Sequence, residues 1–386
     1  MHGFERREGR GHPDREGIAL AEKTKKRKAE HIRISLNQDV QARTATTGLE
    51  DVHLVHKALP EIDKTKISLS TTVFGHKFAA PLVAGAITGG TQEASKINAV
   101  IAEAVEELGL GMGVGSQRAA IEDKRLEKTF SIVRKKAPNA FLIANVGGVQ
   151  LVNGFGVKEA RRAIEMIDAD TLAVHLNPLQ EAIQPEGQTN FAGILERIGD
   201  IAEQLDTPVI VKETGAGIAA EDAKKLEEAG VKGIDVSGVG GTSFAAVEYH
   251  RAKRESSSQR RLGDVFWDWG VPTAASVAEV CQTVRIPVIA SGGIRDGLDV
   301  AKALSLGASL ASLSQPVLQA AVKGVKETKD LLSLMIDELM NTMFLVGAES
   351  VRKLQGSPVV VSGKTAEWLR RRGFNVEGYA RRRMLS

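Results

Sequence analysis

Residues 172–191, "LAVHLNPLQEAIQPEGQTNF", begin as a buried strand and then deliver His175, Asn177, Gln180, Glu181 and Gln184 within ten residues. An imidazole, three amides and a carboxylate at one strand end exceed what packing requires. They suit ligand binding and proton handling. Similar groups recur along the chain: Thr88-Gly89-Gly90, Ser116-Gln117-Arg118, Asn145, Lys212-Glu213-Thr214, Gly240-Gly241-Thr242, and Gly292-Gly293 followed by Arg295.

Each group ends or follows a short apolar run. These runs are 81–88, 111–116, 141–147, 171–177, 208–214, 233–239, 287–293 and 308–314. They lack clean alternation, as strands buried on both faces do. Amphipathic helical stretches lie between them, and three end at Gly109, Gly230 and Gly307, where glycine suits a helix C-cap. Eight such units predict an α/β fold, a (β/α)8 TIM barrel with an N-terminal arm and a C-terminal extension. In a barrel, polar residues at the C-terminal strand ends form one ring, so the opening stretch is one sector of a site. Residues 1–26 read as a flexible charged tail, 27–80 as the arm, and 81–386 as the barrel with its extension. "YHRAKRESSSQRRLGDVFWDWG" (249–270) is too long for a simple loop between strands six and seven and reads as a functional insertion. The tail "SPVVVSGKTAEWLRRRG" is expected to cover the barrel.

The bulk numbers bound the function. A hydrophobic content of 42% supports a real core. A single cysteine, Cys281, excludes an intrachain disulfide framework and a Cys-rich metal site. No apolar run reaches the ~18 residues of a membrane span, and the N-terminus lacks an apolar signal segment. A soluble cytoplasmic protein is expected. Basic clusters at 23–28, 370–372 and 381–383 leave three readings open: a solvated or oligomer-contact surface, a small phosphorylated ligand, or nucleic acid. Acidic residues interleave the first cluster and no aromatic platform accompanies either end, which argues against nucleic acid.

"ASGGIRDGLDVAKAL" (290–304) is strand, glycine turn, helix. Unpaired amides and the helix dipole make such a turn an anion site, and its place after the seventh strand matches the phosphate position of many barrels. A phosphate there, with Lys212 and Asn145 on other strands, suits FMN; otherwise Lys212 is an interior lysine paired with Glu213. A buried lysine near the ring's carbonyl edge favours an anionic reduced flavin.

"RKAEHI" (27–32), "ITGGT" (87–91), "GVGSQR" (113–118), "IANVGG" (143–148), "HLNPLQEAIQPEG" (175–187), "VKETGAG" (211–217), "VSGVGGTSFAAVE" (236–248) and "SGGIRDGLD" (291–299) together resemble the type 2 isopentenyl-diphosphate isomerases. The likeness runs from about residue 27 to "EWLRRRG", with the motifs in family order. It implies an FMN-dependent barrel that interconverts isopentenyl diphosphate and dimethylallyl diphosphate, with Mg2+ and with NADPH or another reductant to form the active reduced flavin. It also implies a homo-oligomer, tetramer or octamer.

By this resemblance the diphosphate clamp is Arg27, Lys28, Ser116, Gln117 and Arg118, joined by His175 and Asn177. The basic segment ahead of the barrel would fold over the site. Gln180 is the substrate-contacting glutamine, grouped with His175, Asn177 and Glu248 as the catalytic set. Glu248 would serve as an auxiliary acid or an ion-pair partner. Glu181 is the magnesium ligand; one carboxylate suffices where diphosphate and waters complete the shell. Read alone, Glu181 is more often a helix N-terminal charge than a metal ligand. FMN contacts fall to Ala86, Ile87, Thr88, Ser116, Asn145, Lys212, Thr214 and Thr242, with Gly293, Ile294, Arg295, Ser314 and Gln315 around the phosphate. The proton carrier is either flavin N5, which is favoured because glutamine is a poor acid unaided, or a Gln180–water relay.

Three positions depart from the family pattern: Ile87 where relatives carry Met, the polar "GASLASLSQP" around Ser314 and Gln315, and Gln188 where an acid is common. A 2-hydroxy-acid oxidase on the same barrel would need a histidine after strand six, and the turn there reads "SGVGGT". A purine-nucleotide dehydrogenase would need a loop cysteine, whereas Cys281 lies in a helical stretch.

Overall fold

The computed structural model describes residues 27–252 and 257–382. The expected basic and acidic tail, residues 1–26, lies outside them. Eight parallel strands close into a barrel: β1 (Leu82–Ala84), β2 (Gly111–Gly113), β3 (Phe141–Gly147), β4 (Thr171–His175), β5 (Val209–Lys212), β6 (Gly233–Asp235), β7 (Val288–Ser291) and β8 (Leu310–Leu313). Each falls inside one of the eight apolar runs. Val83, Phe141, Ile143, Ala173, Ile210, Ile289 and Leu310 fill the barrel interior as one cluster. The opposite strand faces pack on the surrounding helices in a second, larger cluster. Burial on both faces is why the strand runs read as continuously apolar.

The arm closes the N-terminal end of the barrel. The hairpin Thr71–Val73/His76–Phe78 turns at Phe74-Gly75, both at positive φ (53° and 77°), a two-residue turn whose twist matches its strands. It delivers Phe74 against Phe141, ring centroids 5.9 Å apart and stacked, with Phe78 at 5.1 Å from Phe141. That plug leaves the C-terminal end as the open one.

At that open end lies a helix spanning 27–37. Residues 39–47 then run along the rim against the insertion between β6 and β7. Asp268 accepts hydrogen bonds from the backbone N–H groups of Arg43, Thr44 and Ala45, and the Arg43 guanidinium lies 3.5 Å over the Trp267 ring. The insertion is therefore a pair of helices, Phe244–Arg251 and Ser258–Val265, that anchor the arm.

The C-terminal extension does not cap an end of the barrel. Its strand Val359–Val361 pairs antiparallel with Val52–Leu54 of the arm. Its helix Gly363–Arg371 lies on the flank, where Trp368 and Arg372 both reach the buried Glu279 of helix Thr273–Thr283. The physical reason is pairing: a three-residue apolar strand finds its partner edge in the arm, beside the barrel.

Candidate active site

Strand register builds the site. Gly147, His175, Lys212 and Asp235 are successive cross-strand partners on β3, β4, β5 and β6, so an imidazole, an ammonium and a carboxylate stand side by side at the open rim. His175 Nδ1 lies 2.8 Å from Asn145 Oδ1; with Asn145 Oδ1 an acceptor, Nδ1 carries the proton and Nε2 is left as an acceptor. Burial, then Lys212 and Lys28, push the imidazole down to about 3, so His175 is a neutral hydrogen-bonding group. Lys212 Nζ donates to Glu213 O at 2.5 Å.

These groups line a cavity of about 260 Å³ at the barrel mouth. Of the expected residues, the cavity wall includes Arg27, Lys28, Ser116, Arg118, Asn145, His175, Asn177, Gln180 and Glu181. Ala86, Ile87, Thr88, Lys212, Thr214 and Thr242 line it as well, as do Gly293, Ile294, Arg295, Ser314 and Gln315.

Two expected residues stand elsewhere. Gln117 is fully buried, and its amide is spent on the scaffold: Nε2 donates to Ala163 O and Oε1 accepts from Asn145 N–H, both at 2.8 Å. It positions Asn145 and does not belong to the clamp surface. Glu248 is also fully buried, behind the wall, where it accepts from Arg251 at 2.5 Å and pairs with His31 at 3.0 Å. Of its two expected roles the ion-pair partner is the one seen.

The helix 27–37 brings the cations. Lys28 Nζ donates to Ser116 O at 2.5 Å and sits 5.3 Å over the Phe130 ring. Desolvation, then Arg27, push its ammonium down to about 7. Arg251 anchors this helix by pairing with Glu30 (3.3 Å); it also pairs with Glu248 of its own helix, which reaches His31, and holds Glu186 of the β4 loop at 2.6 Å. Arg118 reaches Gln188 Oε1 at 3.4 Å, so the position where relatives often carry an acid serves here as a neutral acceptor.

Glu181 is a buried carboxylate held by Asn177 Nδ2 (3.0 Å), Gln184 Nε2 (2.7 Å) and Gln188 N–H (2.7 Å). Beside it Asn177 Oδ1 and Gln184 Oε1 are buried without a hydrogen-bond partner. Oxygen acceptors lacking donors around a carboxylate fit a hard divalent cation that keeps waters. Among the described residues no cluster of three or more His, Cys, Asp or Glu could hold a metal by itself.

The glycine turn after β7 has the tight shape its sequence predicts. Gly292 and Gly293 take φ of 98° and 74°, and a Cβ on either would collide with neighbouring atoms, Gly238 O and Thr47 Cγ2 respectively. Only glycine allows that approach. The helix Gly297–Ser305 follows, capped by Asp296 accepting from Asp299 N–H at 2.7 Å. The cradle, Lys212 and the mixed wall fit FMN.

Sequence reasoning passed over His31, Gln150 and Asp235, which also line the cavity. Asp235 had a signal, a carboxylate inside the apolar run "GIDVSGV". His31 had one too, standing inside the quoted motif "RKAEHI", whereas Gln150 had none.

This site, on this barrel, defines a flavin-barrel enzyme, and the FMN-dependent dehydrogenase family matches residues 21–140 and 156–361. Among curated proteins, the isopentenyl-diphosphate delta-isomerase of Methanothermobacter thermautotrophicus is 51% identical over 92% of this chain and 99% of its own length. The one from Pyrococcus furiosus is 50% identical over 90% of this chain and 89% of its own. The chain belongs, within the FMN-dependent dehydrogenase family, to the type 2 isopentenyl-diphosphate delta-isomerases. Solved structures share the fold at low identity. A putative lactate oxidase from Pediococcus acidilactici has a TM-score of 0.62 and 18% identity, covering 90% of this chain and 94% of that one. A mandelate oxidase has a TM-score of 0.61 and 21% identity over 89% and 98%.

Proposed function

We propose that the protein interconverts isopentenyl diphosphate and dimethylallyl diphosphate, using FMN in its reduced form and Mg2+. One observation carries the reading: Arg27, Lys28 and Arg118 share a single chamber with Gln180, Glu181 and the glycine turn at Gly292-Gly293. A cationic clamp, an acceptor cluster and an anion cradle then face one substrate. Relatives of about half identity carry that activity as their name.

Arg27 and Arg118 offer forked donors to the diphosphate and Lys28 a compact charge. Glu181, with the free oxygens of Asn177 and Gln184 beside it, would hold Mg2+ against the diphosphate. Reduced FMN, bound by the β1, β3 and β5 ends and the glycine turn, would supply an acid/base edge at N5. Gln180 holds the alkene side of the substrate against that edge. His175, neutral, offers Nε2 as an acceptor and keeps Asn145 in place. The proton gained at the terminal carbon equals the one lost from the allylic carbon. The reaction therefore has no net redox change, and NADPH or another reductant serves to bring the flavin to its working state. The same reading makes the enzyme a cytoplasmic homo-oligomer, tetramer or octamer.

The oxidase alternative lacks its base. Among the described residues the histidines on the cavity wall are His31 and His175, and the turn after β6 carries glycines. The test is anaerobic turnover of isopentenyl diphosphate with FMN, Mg2+ and a reductant. Product that requires all three additions supports the reading. A tightly bound flavin with no turnover sinks it.

A further inference from the structure

Gln41 lies on the rim strap beyond the helix 27–37, and its backbone is pinned there. It bridges Thr242, Ala42 N–H donates to Gly241 O (2.9 Å), and the Trp267 indole N–H donates to Gln41 O (2.7 Å). Its side chain meets two residues of the phosphate cradle. Arg295 Nη2 donates to Gln41 Oε1 (2.6 Å), and Gln41 Nε2 donates to Gln315 Oε1 (2.6 Å). Gln315 Nε2 in turn donates to Ser35 O on the helix that carries Arg27 and Lys28 (3.1 Å).

The direction of this relay is forced. A guanidinium has only donors, so it must face Oε1 of Gln41. That leaves Nε2 of Gln41 for the oxygen of Gln315, and the Gln315 amine for the Ser35 carbonyl. Each amide uses both of its ends, so a change in Arg295's orientation propagates along the whole chain.

We propose that Gln41 is a positioning residue that couples occupancy of the Gly293–Arg295 phosphate turn to the set of the clamp helix 27–37. The proposal rests on the reading of that turn as the flavin phosphate site. A phosphate there takes the free N–H groups of Arg295 and fixes its plane. The Gln41 and Gln315 amides are fixed in sequence, and the last turn of the clamp helix is held by Ser35. Coupling is reciprocal, so a diphosphate in the clamp must tighten FMN by the factor by which FMN tightens the diphosphate.

The experiment measures FMN affinity by flavin fluorescence, with and without inorganic pyrophosphate and Mg2+ as an unreactive occupant of the clamp. Wild type is expected to bind FMN about five-fold or more tightly with pyrophosphate present, and riboflavin, which lacks the phosphate, without that gain. In Gln41→Met, which keeps the shape and loses both hydrogen bonds, the ratio is expected to fall to near unity. Gln315→Met cuts the next link and leaves Gln41's backbone anchors intact; it should lose the ratio too. Wild-type coupling retained in both variants overturns the proposal, as does FMN binding indifferent to pyrophosphate in wild type. Failure of wild type to bind FMN at all sinks the phosphate-turn reading itself, a different result from either.

Discussion

Lys28 makes the most quantitative prediction. Its ammonium is packed over Phe130 beside Arg27, and desolvation with that like charge pushes it down to about 7. A diphosphate bound in the proposed clamp outweighs both causes, because an adjacent opposite charge favours the charged form. Binding must then draw a proton from solvent wherever the free enzyme's Lys28 is neutral. With a free value of about 7 and a bound ammonium that stays charged across this range, uptake is about 0.1 proton at pH 6, about 0.5 at pH 7 and about 0.9 at pH 8. The same linkage weakens affinity roughly ten-fold from pH 6 to pH 8, about 1.4 kcal/mol. Titration calorimetry of isopentenyl diphosphate into the oxidised FMN–Mg2+ protein, in buffers of different ionisation enthalpy, counts those protons. Lys28→Arg stays charged at every pH and is the control for protons released by the ligand. If wild type and Lys28→Arg take up the same number of protons at pH 8, the reasoning about Lys28 is wrong.

Three further outcomes are expected. Glu181→Gln should remove the Mg2+ dependence of turnover and lower kcat roughly 100-fold or more, whereas FMN affinity should stay near wild type; a kcat unchanged at saturating Mg2+ would refute the metal role. Burial pushes Glu213 up to about 7, so its contribution to stability is full below pH 4.5 and is lost as pH rises through about 7. Glu213→Gln should therefore stabilise the fold by roughly 1–3 kcal/mol at pH 8 and change little at pH 4.5, as denaturant melts at the two pH values will report. Arg372→Ala strips the guanidinium from Glu279, which is fully buried, and should cost about 3–5 kcal/mol in the same melts. The neighbouring, exposed Arg371→Ala should cost under about 1 kcal/mol; equal losses would refute the distinction.

Much of this molecule was legible from its residues. The eight apolar runs located eight strands, because a strand buried on both faces leaves a period-free apolar signature. The glycines at 109, 230 and 307 lie just past helix ends at positive φ. The opening sector, from His175 to Gln184, lies on the cavity wall through all five of its singled-out polar residues, because a barrel's topology sends every strand end to one rim. Strand period, turn chemistry and helix caps are local properties, so the chain itself determined them.

What the tertiary structure decided was direction. Gln117 and Arg118 are adjacent, yet one amide is spent inside the scaffold and the other side chain faces the cavity, a choice made by the short helix they begin. Glu248 sits behind the wall because Arg251, a helical turn away, binds it there together with His31 from a helix more than two hundred residues earlier. The extension pairs with Val52–Leu54 on the barrel's flank because that free strand edge lies there, which its own composition could not announce. Asp235 and Lys212 share a rim position only through strand register. Residue types and spacing determine which groups a chain carries to a site. Which way each one points depends on partners that only the closed fold brings within hydrogen-bonding distance.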